Sequence, residues 1–159
     1  MSFSSISSME GMYFGLDFDL DFEIEERPVG PMTDVVCLVT GGTSGIGQAM
    51  VRVFAEQGAS VVFCGRREER GEQYQKELRA ESLDASFFRA DVTSDDDVAA
   101  MMDFVNVEFG RIDVLVNNAG GFFLLRRTSA DGIEMTFALN HLSYFLLTDL
   151  LLDTIKKTA

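Results

Sequence analysis

The eight residues Thr40-Gly41-Gly42-Thr43-Ser44-Gly45-Ile46-Gly47 concentrate the chemistry of this sequence. Closely spaced glycines let a backbone turn tightly and approach a ligand, and a helix opening there would aim its unpaired N–H groups at an anion. The chemistry implied is capture of a pyrophosphate. An ordinary strand-to-helix turn is the competing reading, but the position after an apolar run and before a helical period is the context that nucleotide binding needs. Elsewhere reactive side chains are sparse. Cys37 and Cys64 sit in apolar runs and read as buried, reduced thiols, too few for a disulfide framework. His141, the sole histidine, falls on an apolar helix and reads as a packed or interface residue before a proton carrier.

The elements that must hold this turn follow from periodicity. Val35 to Thr40 is an apolar run, and Ser44 to Gln57 repeats helically through Ile46, Met50, Val51 and Phe54. Ser60 to Cys64 predicts a second strand, Glu68 to Ala80 a charged helix and Ala85 to Ala90 a third strand. Ser94 to Glu108 predicts a helix with Ser94 as N-cap and Asp95, Asp96 and Asp97 in its first turn. Val114 to Asn117 predicts a fourth strand, and after a loop a last helix runs roughly from Asp131 to Lys157. Alternating strands and helices imply an α/β fold with a parallel sheet covered on both faces.

With 159 residues and 47% apolar side chains, the chain has one domain's worth of material for a core. Its 13 basic residues against 26 acidic ones give a net charge of −13, which disfavours charge-driven binding to nucleic acid or anionic lipid. The acid is uneven. Residues 1–34 carry eight acidic side chains against Arg27 alone. There Leu16, Phe18, Leu20, Phe22 and Ile24 alternate with Asp17, Asp19, Asp21, Glu23 and Glu25, fitting either a one-sided strand or a disordered acidic tail. Pro28, Gly30 and Pro31 mark a linker, so 1–33 reads as an extension and 34–159 as the dinucleotide-binding domain. The start has neither the basic residue nor the apolar block of a signal sequence. Phe137 to Leu152, interrupted by Asn140, His141, Thr148 and Asp149, reads as a buried amphipathic helix and not a membrane span. A soluble, cytoplasmic protein is the expectation.

In Thr40-Gly41-x-x-x-Gly45-x-Gly47 the sequence resembles the short-chain dehydrogenase/reductase family. Asn117-Asn118-Ala119-Gly120 matches the family's second signature, and Asp91-Val92 its adenine-contacting pair. Asn140 occupies the place of the helix asparagine that anchors a water in the family's proton relay. The wording from Asp131 to Leu152 is closest to the retinol-dehydrogenase-like branch. The resemblance implies a Rossmann-like doubly wound sheet, here about four strands in the order 3-2-1-4, with cofactor contacts from Gly41, Ser44, Gly45, Ile46, Gly47, Arg66, Asp91, Val92 and Asn118. Asn140 is the implied catalytic contribution. Where an NAD-binding enzyme places a carboxylate on the ribose hydroxyls, this chain has Gly65, then Arg66 and Arg67. Two guanidinium groups suit the 2′-phosphate of NADP, with NAD as the alternative and pairing with Glu68 and Glu69 as the competing role for the arginines.

The family's serine and Tyr-x-x-x-Lys arrangement would follow Ala159. Tyr13, Tyr74 and Tyr144 are followed four places on by Asp17, Leu78 and Thr148, so none supplies it. The expectation is the NADP-binding portion of an oxidoreductase, acting on a small carbonyl or alcohol if a catalytic half is supplied. The alternatives are a non-enzymatic nucleotide-binding or dimerisation module and a truncated product without settled function. Four strands would leave the fourth strand's edge open, and a homodimer through the last helix is a further expectation.

Overall fold

Successive residues of a strand point to opposite faces, and here both sets are apolar, so each strand needs cover on two sides. The computed structural model, which describes residues 27–158, provides it. Strands β1 (Val36–Thr40), β2 (Ser60–Gly65), β3 (Ala85–Arg89) and β4 (Val114–Val116) form a parallel sheet in the order β3-β2-β1-β4. Val39 pairs with Phe63 and Val116, and Phe63 with Phe87. On one face Cys37, Val39, Val61 and Phe63 meet Val51 and Ala55 of α1 (Gly45–Glu56) and Tyr74 and Leu78 of α2 (Glu68–Ala80). Phe63 anchors that layer, with Tyr74 edge-on at 5.7 Å and Phe87 at 5.5 Å between ring centroids. On the other face Leu38, Val62 and Cys64 meet Met101 and Val105 of α3 (Asp95–Glu108). Ser94 caps α3 by accepting from the Asp97 N–H at 3.3 Å.

The expected order and a four-stranded sheet are thus present, with differences in detail. The acidic alternation at 16–24 and Tyr13 lie outside the described residues. The linker ends in a packed turn: Met32 N–H donates to Gln57 O at 3.0 Å and Gly30 N–H to Thr33 Oγ1 at 3.0 Å, fixing the chain beneath the α1–β2 junction. The last helix begins later than Asp131. Gly132 takes φ +78°, Thr128 bridges to Glu134, and the Glu134 carboxylate accepts from the Thr136 and Phe137 N–H groups. Those bonds cap α4 (Met135–Phe137), which passes through a π-turn at Ala138–Leu142 into α5 (Ser143–Lys156).

α5 is also less buried than its periodicity implies. Leu147 and Leu151 enter the core beside α3, whereas Phe145, Leu146 and Leu150 remain exposed. The physical reason is topological: β4 ends the sheet, and no further strand or helix flanks α5 among the described residues. By length and composition alone Met135–Lys156 could cross a bilayer, but its inner stripe packs against the sheet.

Candidate functional site

β1 ends in Thr40, whose side chain ties the glycine-rich turn to the end of β4. Thr40 Oγ1 accepts from the Asn118 and Ala119 N–H groups, each at 3.0 Å, and donates to Val116 O at 3.2 Å. Asn118 Nδ2 returns two bonds, to Thr40 O at 2.9 Å and Gly41 O at 3.2 Å. This lattice presses three segments together so closely that Gly41 and Gly47 have no room for a side chain. A Cβ on Gly41, which has φ +70°, would lie 2.8 Å from Ala119 Cα, and one on Gly47 would lie 2.4 Å from Gly41 O. Thr40 is the residue that reading the sequence for ligand contacts missed. Its place at the head of the glycine run was the available signal.

The start of α1 faces open space. No protein atom lies within 4 Å of a Cβ position at Gly45, and Ile46 is exposed. A helix leaves its first N–H groups without intrahelical partners, and the Ser44 side chain does not cap them; its hydroxyl accepts from Arg67 NH2 at 3.0 Å. Those donors carry the positive end of the helix dipole, an arrangement made for an anion.

Arg66 and Arg67 leave the end of β2 toward the same opening. Arg66 NH1 stands 3.9 Å from Asp91 Oδ2 with its side chain largely exposed, and neither arginine pairs with Glu68 or Glu69 among the described residues. Thr43 packs against Gly65, where a Cβ would come within 2.8 Å of its Cγ2, so this strand end has no space for a carboxylate. Burial pushes the Asp91 carboxyl up. Hydrogen bonds from Thr93 N–H and Oγ1, with the Arg66 and Arg89 cations, outweigh burial and hold it below the usual aspartate value. The Asp91 N–H donates to Asp97 Oδ2 at 2.8 Å, fixing the backbone there.

Val92 belongs to a neighbouring cleft of about 410 Å³ between α3 and α5, which it shares with Thr40, Ala119 and Tyr144. Asn117 Nδ2 donates to Thr148 Oγ1 at 2.9 Å in its floor, leaving Asn117 Oδ1 buried without a partner among the described residues. Asn140 sits on the π-turn, a helical irregularity frequent at functional sites. Its Oδ1 accepts from Gly121 N–H at 2.9 Å and its Nδ2 donates to Gly121 O at 2.7 Å, clamping the loop after β4. His141 stacks on Phe137 at 5.0 Å.

The geometry therefore gathers Gly41, Ser44, Gly45, Ile46, Gly47 and Asn118 at one helix end, Arg66 and Asp91 at its flank, and Val92 beside it. Asn140 is not among them and is held against Gly121 in the loop after β4. The two cysteines and Tyr74, by contrast, are withdrawn. Burial pushes the Cys37 and Cys64 thiols up to about 11, which keeps them protonated at neutral pH. Tyr74 Oη donates to Gln48 O at 2.8 Å inside the core, and no cluster with metal-ligand geometry occurs among the described residues.

A family model described as short chain dehydrogenase matches residues 35–159. Human polyprenol dehydrogenase is 35% identical over 131 residues, covering 81% of this chain and 40% of that protein. L-fucose dehydrogenase of Bos taurus is 39% identical over 77% of this chain and 45% of its own length. Human retinol dehydrogenase 13 is 36% identical over 77% of this chain and 38% of its own length. The chain spans less than half the length of these curated relatives.

Proposed function

The chain belongs to the short-chain dehydrogenase family, and from that premise we propose that residues 34–159 are the NADP(H)-binding portion of an oxidoreductase, incomplete for catalysis alone. The carrying observation is the uncapped start of α1, open to solvent and flanked by Arg66 and Arg67 where a carboxylate has no space. The first N–H groups of α1 bind the pyrophosphate, and the two guanidinium groups bind the 2′-phosphate. Asp91 and Val92 meet the adenine, and Asn118 keeps the turn in its binding shape. The cofactor supplies hydride exchange with a carbonyl or alcohol carbon. Asn140 fixes the loop bordering the reaction site and contributes to the proton path, whose tyrosine and lysine a further segment would provide.

The relatives' names denote dehydrogenases of polyprenol, fucose and retinol, which supports an alcohol or its carbonyl counterpart as substrate class. The exposed apolar row of α5 supports a homodimer, and the free, buried Cys37 and Cys64 suit the reducing cytoplasm. Titration of the 159-residue chain with NADPH and NADH, read by nicotinamide fluorescence, tests the reading. Saturable binding that favours NADPH, with Arg66→Ala weakening NADPH about tenfold and NADH little, is expected. Equal affinity for both cofactors removes the NADP assignment, and absence of binding removes the nucleotide site.

A further inference from the structure

Side chains cap two helices of this chain, and a third has a serine in place that does not. Ser94 accepts from the Asp97 N–H at the start of α3, and Glu134 accepts from the Thr136 and Phe137 N–H groups at the start of α4. Ser44 holds the same position before α1, in the extended backbone that an N-cap residue takes, yet makes no cap bond. The N–H groups within reach of a capping serine are those of the second and third helical residues, here Ile46 and Gly47. They are also donors that the cofactor reading gives to the pyrophosphate, so a capping Ser44 would compete with the ligand.

The neighbouring strand end accounts for where the Ser44 hydroxyl lies. Gly42 N–H donates to Cys64 O at 3.0 Å, and the buried Thr43 side chain packs against Gly65, which together hold the glycine-rich turn on the end of β2. Arg67, two residues beyond Gly65, then reaches Ser44 Oγ through NH2 at 3.0 Å. Its side chain does not cap α2, and its other N–H groups have no protein partner among the described residues. A serine oxygen occupies one staggered position at a time, so an oxygen held on Arg67 is held off the helix. We propose that Arg67 is a positioning residue: by engaging Ser44 Oγ it keeps that hydroxyl from the Ile46 and Gly47 N–H groups and reserves them for the pyrophosphate. The inference rests on the cofactor reading and separates the two arginines. Arg66 acts on the 2′-phosphate and so on NADPH alone. Arg67, whose remaining N–H groups stay available to the 2′-phosphate, also acts through Ser44 on any ligand that carries the pyrophosphate. The free protein forgoes a helix cap as a result.

NADH, which has the pyrophosphate and lacks the 2′-phosphate, is the first probe and NADPH the second. Each is titrated by nicotinamide fluorescence against the full 159-residue chain and its Arg67→Ala, Ser44→Ala and Arg67→Ala/Ser44→Ala variants. Arg67→Ala is expected to weaken NADH about fivefold. Without ligand it should raise the melting temperature by about 3 °C, because the freed Ser44 caps α1. In the Ser44→Ala background the same substitution should change neither NADH affinity nor melting. On NADPH the loss caused by Arg67→Ala should be larger with Ser44 present than without it. Losses of affinity that are equal with and without Ser44 overturn the proposal and leave Arg67 acting by charge alone. An Arg67→Ala variant that binds NADH and NADPH like the parent, or that does not melt higher, also overturns it. A parent chain that binds neither nucleotide removes the cofactor reading itself, an outcome distinct from saturable binding in which Arg67 and Ser44 act independently.

Discussion

The two edges of the sheet are finished differently. At β3 the α2 side chains close the edge: Gln75 Oε1 accepts from the Phe87 N–H at 2.6 Å, and Arg79 donates through Nε to Ala85 O and through NH2 to Ser86 Oγ, each at 3.0 Å. At β4 all three residues are only partly buried, and the adjoining α5 leaves one apolar row exposed. Capped backbone groups resist pairing with another chain, whereas an open edge invites it. Buried packing thus concentrates on the β3-β2-β1 side with the glycine-rich turn, while Asn140 belongs with the less covered side.

Core substitutions should break this comparison most forcefully. Phe63→Ala, at the centre of the closed side, is expected to cost about 3–5 kcal/mol, and Leu147→Ala, beside the α3–α5 cleft, about 2 kcal/mol. Urea unfolding measures both, and equal losses would mean that the two sides are equally consolidated. Opening the closed edge comes next. Gln75→Ala/Arg79→Ala should cost about 1–2 kcal/mol through lost hydrogen bonds and add concentration-dependent association seen by light scattering. Unchanged association would show that these side chains do not protect the edge.

The smallest effect concerns the β1–β4 seam, where Asp113 Oδ2 accepts from the Val36 N–H at 2.8 Å. Burial pushes its carboxyl up, but the Arg111 bonds and the Val36 N–H more than compensate, so its folded-state pKa is depressed. The associated stability is whole above the unfolded aspartate value of about 3.9 and fades as pH falls through the lower folded-state value. Asp113→Asn should therefore flatten the acid limb of a thermal-melting profile while lowering stability modestly at neutral pH. An unaltered acid limb would remove Asp113 from that role.

Much of the closed side was legible because its signals are local. Val36–Thr40 and Ser60–Gly65 are continuous apolar runs, glycines punctuate the turns, and Ser94 followed by three acids announces α3. The contact of Arg67 with Ser44 was not legible, since it joins two turns whose approach depends on the parallel pairing of β1 with β2. The late start of the last helix was hidden for another reason. Ile133 fits the helical period, yet the Thr128–Glu134 bridge and the positive φ of Gly132 hold it outside. The exposed row of α5 was also beyond periodicity, which reports that a helix has an apolar face but not what covers it.

Hydrogen exchange of the full chain with and without NADPH tests most directly whether the closed side is a folded cofactor-binding unit. Slow exchange in β1, β2, α1 and α2 without cofactor is expected, with NADPH adding protection at residues 41–47, 66–67 and 91–92 while β4 and α5 exchange faster. Uniformly fast exchange, or no change at those residues on adding NADPH, would contradict it.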